Sequence, residues 1–427
     1  MPEDTFLSDD LLRQLMSVGE VDLLVGVSSH NSANPVGQAV QAIEQSYQQF
    51  FPRQRVAIVL FDVEGQTGAN TTNATTQSSE EKRAQTHGIT SLRTIHRVLV
   101  TFPGIPSPGV ALRTTLAIAD LVRTRACVLF SANSTNLNPE SIGNLLRPVY
   151  QEKFDFSAPL YTRHKFQGLL MRNLLYPMSR AVFGCGMREV FPAEWGFSGR
   201  LASYCLNQDV WHEEAIRVQP EAWMALTACA TEQRCCQVYV GKKGPLTTVP
   251  DIVDVLRQTV GALFWCLEKD QEFWLERDHS QDVPTFGTAH PLTTEPTDMD
   301  RHRIFEMFRT GVTDLEPVLN SILDPETHAE IKNMTLIEEG KFRFKPDVWV
   351  RALYDFAASY HHEVITRDHL VQALAPLYRG MTHSYLLEHA DSSPAEIEAA
   401  NEMLCSEFEL QKPYLRERWK TKMEVKS

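Results

Sequence analysis

The 427-residue sequence has no apolar run long enough to cross a membrane and no excess of positive charge. A transmembrane helix needs about 18 or more consecutive apolar residues. Lysine and arginine number 41 against 54 acidic residues, which gives a net charge of −13 and argues against nucleic acid or an anionic membrane as the main partner. The acidic start, MPEDTFLSDD, also lacks the layout of a signal peptide. We therefore expect a cytoplasmic protein with neither a membrane nor a nucleic-acid partner.

The eight cysteines also lack the spacing of a zinc site, because no Cys-x-x-Cys pair is followed by a second such pair. Cys229, Cys235 and Cys236 form the only local cluster in the sequence. They are open to two interpretations, a zinc site or small buried side chains on a helix-to-strand connection, and their spacing favours the second.

Short β-branched apolar runs alternate with helical spacing in the first third of the chain. The predicted strands are Leu23–Val27, Val56–Phe61, Val98–Phe102 and Ala126–Phe130, and the predicted helices are Val36–Phe50 and Pro108–Arg123. This alternation predicts an α/β fold with a mostly parallel sheet and helices on both faces.

Two further segments suggest how the chain is divided. Residues 64–94 are rich in Thr, Asn and Ser and predict a long loop on the ligand side of the sheet. Beyond Thr247 the pattern becomes helical, with one long amphipathic stretch at Val249–Arg277 and an apolar stripe from Trp349 to Tyr360. We expect an N-terminal segment (1–19), an α/β domain (20–248) and a helical C-terminal domain (249–427).

Polar residues follow the predicted strands at Ser28–Asn31, Asp62–Gly65 and Ser131–Ser134. In open α/β sheets, ligands bind beyond the carboxyl ends of the strands. The three segments therefore predict one binding crevice.

Three long segments, residues 21–52, 159–211 and 346–387, resemble the GT-A glycosyltransferases of the glucosylglycerate and mannosylglycerate synthase group. The resemblance implies a GT-A fold and a nucleotide-diphosphate hexose as donor. It also implies transfer of the sugar, with retention of configuration, to a small hydroxy acid such as glycerate.

The donor side departs from the family at its metal ligands. Ser131 and Asn133 stand where the family has an Asp-x-Asp pair, and neutral oxygens bind hard cations more weakly than carboxylates do. Gly244 or Pro245 replaces a metal-binding histidine, so the family's divalent metal lacks its ligands and no metal or other cofactor is expected. The resemblance implies a donor site formed by Ser28, Asp62, Ser131, Asn133, Lys242 and Lys243. Arg113 is a further candidate cation for the phosphates.

The acceptor side retains its charged groups. Glu194 and Glu221 stand where the family has aspartates, so the resemblance implies that they are the catalytic carboxylates. It implies acceptor binding by Arg163, His164, Trp195 and Gly196. We expect Glu194, Glu221 and Arg163 to share one pocket. The alternative role for Arg163 is a buried ion pair with one of these two acids.

Three functions remain open. The first is an active glycosyltransferase with an unusual donor site that works with or without a metal. The second is an inactive relative that binds a ligand or an active paralogue. The third is a structural member of an assembly. Possible protein partners are a second copy of the chain or that paralogue. His361, His362 and His369 are interpreted as structural because no acidic or cysteine spacing around them suggests a metal site.

Overall fold

The computed structural model describes residues 7–28, 36–63, 95–102, 106–131, 134, 136–243, 251–289, 292–293 and 299–421. The predicted loop at 64–94 and the donor-site residue Asn133 lie outside these ranges. Within them, no helix is both long and apolar enough to span a bilayer.

The chain forms two compact units that are not contiguous in sequence. Unit 1 consists of Met1–Tyr161, Phe191–Pro245 and Pro284–Thr288, and unit 2 of Thr162–Val190, Leu246–Val283 and Ala289–Ser427. The sequence suggested one boundary, near residue 248. The contacts additionally place the segment Thr162–Val190 with the helices of unit 2.

Among the residues described, eight strands form the sheet at the centre of unit 1. Its strands are β1 (Leu23–Ser28), β2 (Val56–Val63), β3 (Ile95–Phe102), β4 (Ala126–Phe130), β5 (Phe156–Thr162), β6 (Glu194–Ser198), β7 (Cys235–Lys242) and β8 (Thr285–Phe286). They lie in the order β3-β2-β1-β4-β6-β5-β7-β8. The first four strands are parallel, and β6 runs antiparallel to both β4 and β5. The expected α/β fold with a mostly parallel sheet is confirmed.

Helices cover both faces of this sheet. Those of unit 1 are α1 (Asp9–Val18), α2 (Val36–Phe50), α3 (Pro108–Leu121), α4 (Pro139–Tyr150), α6 (Gly199–Leu206), α7 (Glu214–Val218) and α8 (Pro220–Ala230). One face of the sheet forms an apolar core with α2 and α4, in which Val25, Ile43 and Leu145 take part. The opposite face meets α3, where Thr115 lies close to Gly26 of β1.

Unit 2 is helical among the residues described. After a π-helical turn at Met171–Leu175, its helices are α5 (Tyr176–Phe183), α9 (Ile252–Lys269), α10 (Gln271–Glu276), α11 (Arg301–Asp314), α12 (Glu316–Ile322), α13 (Pro325–Met334), α14 (Pro346–His361), α15 (Arg367–Ala373), α16 (Ala375–Glu388), α17 (Pro394–Leu410) and α18 (Lys412–Lys420), with a 3₁₀ turn at Glu339–Lys341. The predicted stripe on α14 is buried, as expected.

Two features of the second half of the chain go beyond the sequence analysis. The described part of the amphipathic stretch Val249–Arg277 forms two helices, because Asp270 leaves helical dihedrals (φ −109°, ψ 25°) between α9 and α10. The short strand β8 follows these helices, and its residues pair with Gln237 and Val238 of β7.

Gly196 determines how closely α4 approaches β6. A Cβ atom at this position would lie 2.6 Å from the carbonyl oxygen of Leu145, which is backbone and cannot rotate away. The absence of a side chain therefore allows the helix to lie directly on the strand.

We predict that Gly196→Ala destabilises the protein by about 1–3 kcal/mol, because the helix must shift to relieve the overlap. Urea unfolding followed by tryptophan fluorescence measures this loss. The control is Gly261→Ala in α9, where the added Cβ meets no atom within 4 Å. That variant should be neutral or stabilised by up to about 1 kcal/mol. Equal unfolding midpoints for the two variants would contradict the proposed packing role.

Candidate functional site

The carboxyl edge of the sheet in unit 1 is the candidate binding site. The strand order reverses between β1 and β4, since β1 continues through α2 to β2 on one side and β4 lies on the other. The helices α2 and α3 cover opposite faces at this point. Such a switch point leaves a crevice between two strand ends, and it is where ligands bind in open α/β sheets. Ser28 ends β1 and Ser131 directly follows β4.

Ser131 lies at a strand end, as the sequence predicts. Its backbone N–H donates to the carbonyl oxygen of Ala193 (2.8 Å), which extends the pairing of β4 with β6 by one residue. Its carbonyl oxygen accepts from the N–H of Ser134 (3.0 Å). The side chain is half-buried and neutral. Asp62 lies near the end of β2 at the same edge.

The two predicted donor-site lysines lie at the end of β7. Lys242 is the last residue of the strand and is exposed. The ammonium of Lys243 lies 4.0 Å from the centroid of the Tyr161 ring, near the end of β5. The ends of β5 and β7 therefore bring one cation to the carboxyl edge and hold it against an aromatic face.

Glu194 reaches the same edge because β6 is antiparallel and begins where β4 ends, with Glu194 paired to Phe130. The side chain is fully buried, with 0% exposure. One carboxylate oxygen accepts from the side-chain amide of Asn136 (3.3 Å). The other oxygen has no hydrogen-bond partner among the described residues.

Alternation along β6 separates the predicted acceptor residues. Glu194 points to the same face as Gly196, which is the face covered by α4. Trp195 points to the opposite face and is 2% exposed. Gly196 has the packing role described above. The predicted contact of Trp195 and Gly196 with an acceptor stays a prediction.

Glu221 lies in the first turn of α8, at the carboxyl edge. The preceding helix α7 packs against the start of α3, where a Cβ at Gly109 would lie 2.5 Å from the carbonyl oxygen of Ile216. Burial raises the pKa of the Glu221 carboxyl from 4.5 to about 7, and a hydrogen bond with its own backbone opposes this rise to a smaller extent. The residue as a whole is half-buried, and its carboxyl group is poorly hydrated. Such a group can exchange a proton near neutral pH.

The expectation that Glu194 and Glu221 share a pocket is not met. Glu194 points to the α4 face of the sheet, whereas α8 packs against α3 and α7 on the opposite face. The sheet itself lies between them. The Asp-to-Glu resemblance could not reveal this, because the side of a strand on which a residue projects depends on pairing with distant strands.

Arg163 and His164 belong to unit 2. The carboxylate within 2.7 Å of Arg163 is that of Glu189, not one of the two acids named in the sequence analysis. The Nδ1 atom of His164 accepts from the N–H of Phe166 (3.2 Å), and the ring is 7% exposed. The predicted binding of an acceptor by either residue remains untested.

Arg113 lines a surface cleft of about 530 Å³ that also includes Trp211 and His212. The polar side chains around it bind the last carbonyls of α6: Asn207 to Ser203, Gln208 to Tyr204 and the indole N–H of Trp211 to Leu206. The guanidinium of Arg113 lies 5.6 Å from the ring of Trp211. We therefore interpret the cleft as part of the C-terminal cap of α6, in which side chains donate hydrogen bonds to the last carbonyl groups of the helix.

Sequence reasoning missed Asn136 and Glu189. Asn138 precedes Pro139, and its side-chain oxygen accepts a hydrogen bond from the N–H of Ser141 (2.9 Å). An Asn-Pro pair of this kind is a helix N-cap signal that the sequence shows directly. Asn136 carries no such local signal, because its partner Glu194 lies 58 residues away.

We predict that Glu221→Gln changes the pH dependence of stability. Between pH 4.5 and about 7 the folded state keeps a proton on Glu221 that the unfolded chain has lost, so the free energy of unfolding falls as pH rises through this window. Glutamine removes this contribution. The difference in melting temperature, variant minus wild type, should therefore increase from pH 5 to pH 8. Differential scanning calorimetry measures both temperatures.

The control for this prediction is Glu214→Gln, an exposed residue of the neighbouring helix that pairs with Arg217 (2.6 Å). It should leave the slope of melting temperature against pH nearly unchanged. Parallel curves for Glu221→Gln and wild type would show that the Glu221 carboxyl is not desolvated.

No family model and no curated protein matches the sequence. Solved structures that it resembles include glucosyl-3-phosphoglycerate synthase from Mycobacterium tuberculosis in complex with uridine diphosphate, at 14% identity and a TM-score of 0.33, over 70% of this chain and 94% of that one. Mannosyl-3-phosphoglycerate synthase from Rubrobacter xylanophilus shares 15% identity at a TM-score of 0.36, over 64% and 82%. A putative nucleotide-diphospho-sugar transferase from Desulfovibrio desulfuricans shares 12% at 0.27, over 61% and 98%.

Proposed function

We propose that the protein is a glycosyltransferase-related protein that binds a nucleotide-diphosphate sugar at the carboxyl edge of its sheet. The observation that carries this proposal is the switch point between β1 and β4, with Ser28 and Ser131 on its two sides. A nucleotide fits such a crevice because the ends of the two strands diverge there and leave backbone groups open to a ligand. The sequence motifs at the same positions support a nucleotide sugar as the ligand.

The described side chains of this site do not suit a divalent cation. Ser131 offers a neutral hydroxyl, and the carboxylate of Glu194 is buried and points to the α4 face. Hard cations need several charged or strongly polar oxygens at about 2.0–2.6 Å. The donor diphosphate therefore needs another source of positive charge.

Lys242 and Lys243 are the proposed source of that charge. Both follow the sheet to its carboxyl edge, and Lys243 is already oriented by the ring of Tyr161. A charge-assisted hydrogen bond to a phosphate contributes about 1.5–3 kcal/mol. Two such bonds would partly offset the missing cation.

The proposed reaction is transfer of a hexose from this donor to a small hydroxy acid, such as glycerate, with retention of configuration. Glu221 is the proposed acid-base group, since its raised pKa suits proton exchange near neutral pH. Glu194 is less suited to contact a substrate, because it is fully buried. Arg163 and His164 stay candidates for the acceptor on the basis of the family resemblance.

The second candidate is a catalytically inactive relative that binds a ligand or an active paralogue. The neutral Ser131 and the buried position of Glu194 favour it, since both remove charge from the strand ends where the family's chemistry takes place. Ligand binding and turnover must therefore be measured separately.

We predict that UDP-glucose or GDP-mannose raises the melting temperature in the presence of EDTA, whereas free glucose or mannose does not. A ligand at ~100 times its dissociation constant stabilises the folded state by about 2.7 kcal/mol. The double variant Lys242→Ala/Lys243→Ala should weaken this binding by about 10²-fold or more, as measured by calorimetric titration. The control is Lys345→Ala, an exposed lysine paired with Glu330 in unit 2. No response to either nucleotide sugar, with or without Mn²⁺, would rule out the proposed ligand.

We predict that Glu221→Gln lowers hexose transfer by about 10²-fold or more and leaves the dissociation constant of the donor within about twofold. A general acid-base group acts mainly in the transition state, so ground-state binding should be spared. Product formation by mass spectrometry and donor binding by calorimetry measure the two effects. A wild-type protein that binds the donor without detectable transfer to any hydroxy acid would instead support the inactive relative.

A further inference from the structure

Three cysteines lie around the connection between α8 and β7, and the structure separates them into a pair and a single residue. Cys229 is in the last turn of α8, and Cys235 and Cys236 begin β7. All three are buried, as expected for small apolar side chains. Cys236 shares its face of β7 with Val238, which belongs to the core beside α2 and α4. Cys235 therefore projects to the opposite face of the sheet, on which α8 packs.

The end of α8 turns the chain back on itself and brings the pair together. Glu232 has a left-handed backbone (φ 52°), and its N–H donates to the carbonyl oxygen of Cys229 (3.1 Å). The N–H of Gln233 donates to the carbonyl oxygen of Ala228 (2.9 Å), so the helix ends in a Schellman motif. The sulfur atoms of Cys229 and Cys235 lie within 4.8 Å of each other.

The start of β7 is held independently of the thiols. The carboxylate of Asp155 accepts from the N–H of Arg234 (3.2 Å), and the carbonyl oxygen of Arg234 accepts from the N–H of Asp155 (2.7 Å). With both backbones fixed, side-chain rotation decides how closely the two sulfurs approach. Rotation about the Cα–Cβ bond between staggered positions moves a cysteine sulfur by about 3 Å. A disulfide bond, about 2.05 Å long, is therefore within reach of this pair.

We propose that Cys229 and Cys235 form a peroxide-sensitive dithiol, which oxidation converts to a disulfide between α8 and β7. The oxidant is hydrogen peroxide. One sulfur, as its thiolate, attacks the O–O bond and becomes a sulfenic acid, and hydroxide leaves. The second thiolate displaces hydroxide from that sulfur and forms the S–S bond. The two protons lost by the thiols convert the two hydroxides to water, so two thiols and one peroxide give one disulfide and two waters.

The surroundings of the three sulfurs favour reaction at the pair. Cys229 and Cys235 are each 7% exposed, and the turn between them carries the exposed side chains of Glu232 and Arg234, so the pair lies just beneath the surface. Cys236 is 0% exposed, and burial raises the pKa of its thiol to about 12. It therefore stays a protonated, unreactive thiol at neutral pH and is an internal control.

The disulfide would join two elements of the candidate site. The helix α8 carries Glu221 in its first turn, and β7 ends at Lys242. Hydrogen exchange at the amides of Glu232 and Gln233 should become at least about tenfold slower on oxidation, because the helix end can then open only if the linked strand also moves.

The test is oxidation of the reduced full-length protein with hydrogen peroxide, followed by blocking of the remaining thiols and digestion with trypsin. Trypsin cleaves after Arg234, between the two partners. We expect the two peptides on either side of this cleavage to be joined in most molecules, and dithiothreitol to separate them. Fragmentation in the mass spectrometer shows whether the link to Cys229 is made by Cys235 or by Cys236.

Two variants are matched controls. Cys236→Ala should keep the link, whereas Cys235→Ala should lose it, because the cysteine that remains on β7 projects to the opposite face. The proposal is overturned if the wild type forms no link, if the link persists in Cys235→Ala, if Cys229 joins a cysteine elsewhere in the chain, or if exchange is equal in the oxidised and reduced forms. Fragmentation of the wild-type peptides decides the partner if a variant does not fold. These measurements need no nucleotide sugar, so they stand apart from the proposed function.

Discussion

The antiparallel strand β6 is the constraint on which the candidate site depends. It is held at its far end by the buried carboxylate of Asp155, which precedes β5. That carboxylate accepts from the hydroxyl of Ser198 (2.9 Å), the guanidinium of Arg200 (2.6 Å) and the backbone N–H of Arg234 (3.2 Å). These three donors belong to the end of β6, the start of α6 and the approach to β7. One acid therefore fixes β5, β6 and β7 at the amino edge, and the length of β6 then brings Glu194 to the carboxyl edge.

The same strand decides what Glu194 can do. Successive side chains of a strand point to opposite faces, so Glu194 and Trp195 cannot both face one ligand. Gly196 allows α4 to lie directly on the Glu194 face, and this burial excludes water and substrate from the carboxylate. A residue that resembles a catalytic acid in sequence thus has the surroundings of a structural one. Glu221 differs, since it begins a helix at the edge and remains half-buried.

Local patterns predicted much of unit 1 and little of the site. The bounds of α2 and β4 match the prediction because both are short apolar patterns with clear polar ends. The sequence did not reveal β8, since two residues of strand leave no periodicity to detect. Ser131 was placed correctly because it follows a buried strand. The sequence did not reveal that Glu194 contacts Asn136 or that Arg163 contacts Glu189. Tertiary folding brings these partners together, and no local alternation or spacing of residues indicates such a contact.

In the proposed donor site, Lys243 would allow strand ends with neutral side chains to bind an anionic ligand. Its ammonium lies over the Tyr161 ring, an interaction of about 0.5–1 kcal/mol when partly exposed. A charge-assisted bond to a phosphate contributes about 1.5–3 kcal/mol, so exchanging the ring for a diphosphate oxygen is favourable. The ring also restricts the four-carbon chain before the ligand arrives, which lowers the entropy lost on binding. Under the proposed function, a lysine held in this way supplies positive charge from the protein itself. Unlike a metal ion, it needs no carboxylate ligands to hold it in the site. The same strand ends can then carry serine and asparagine where a metal-dependent site needs acids.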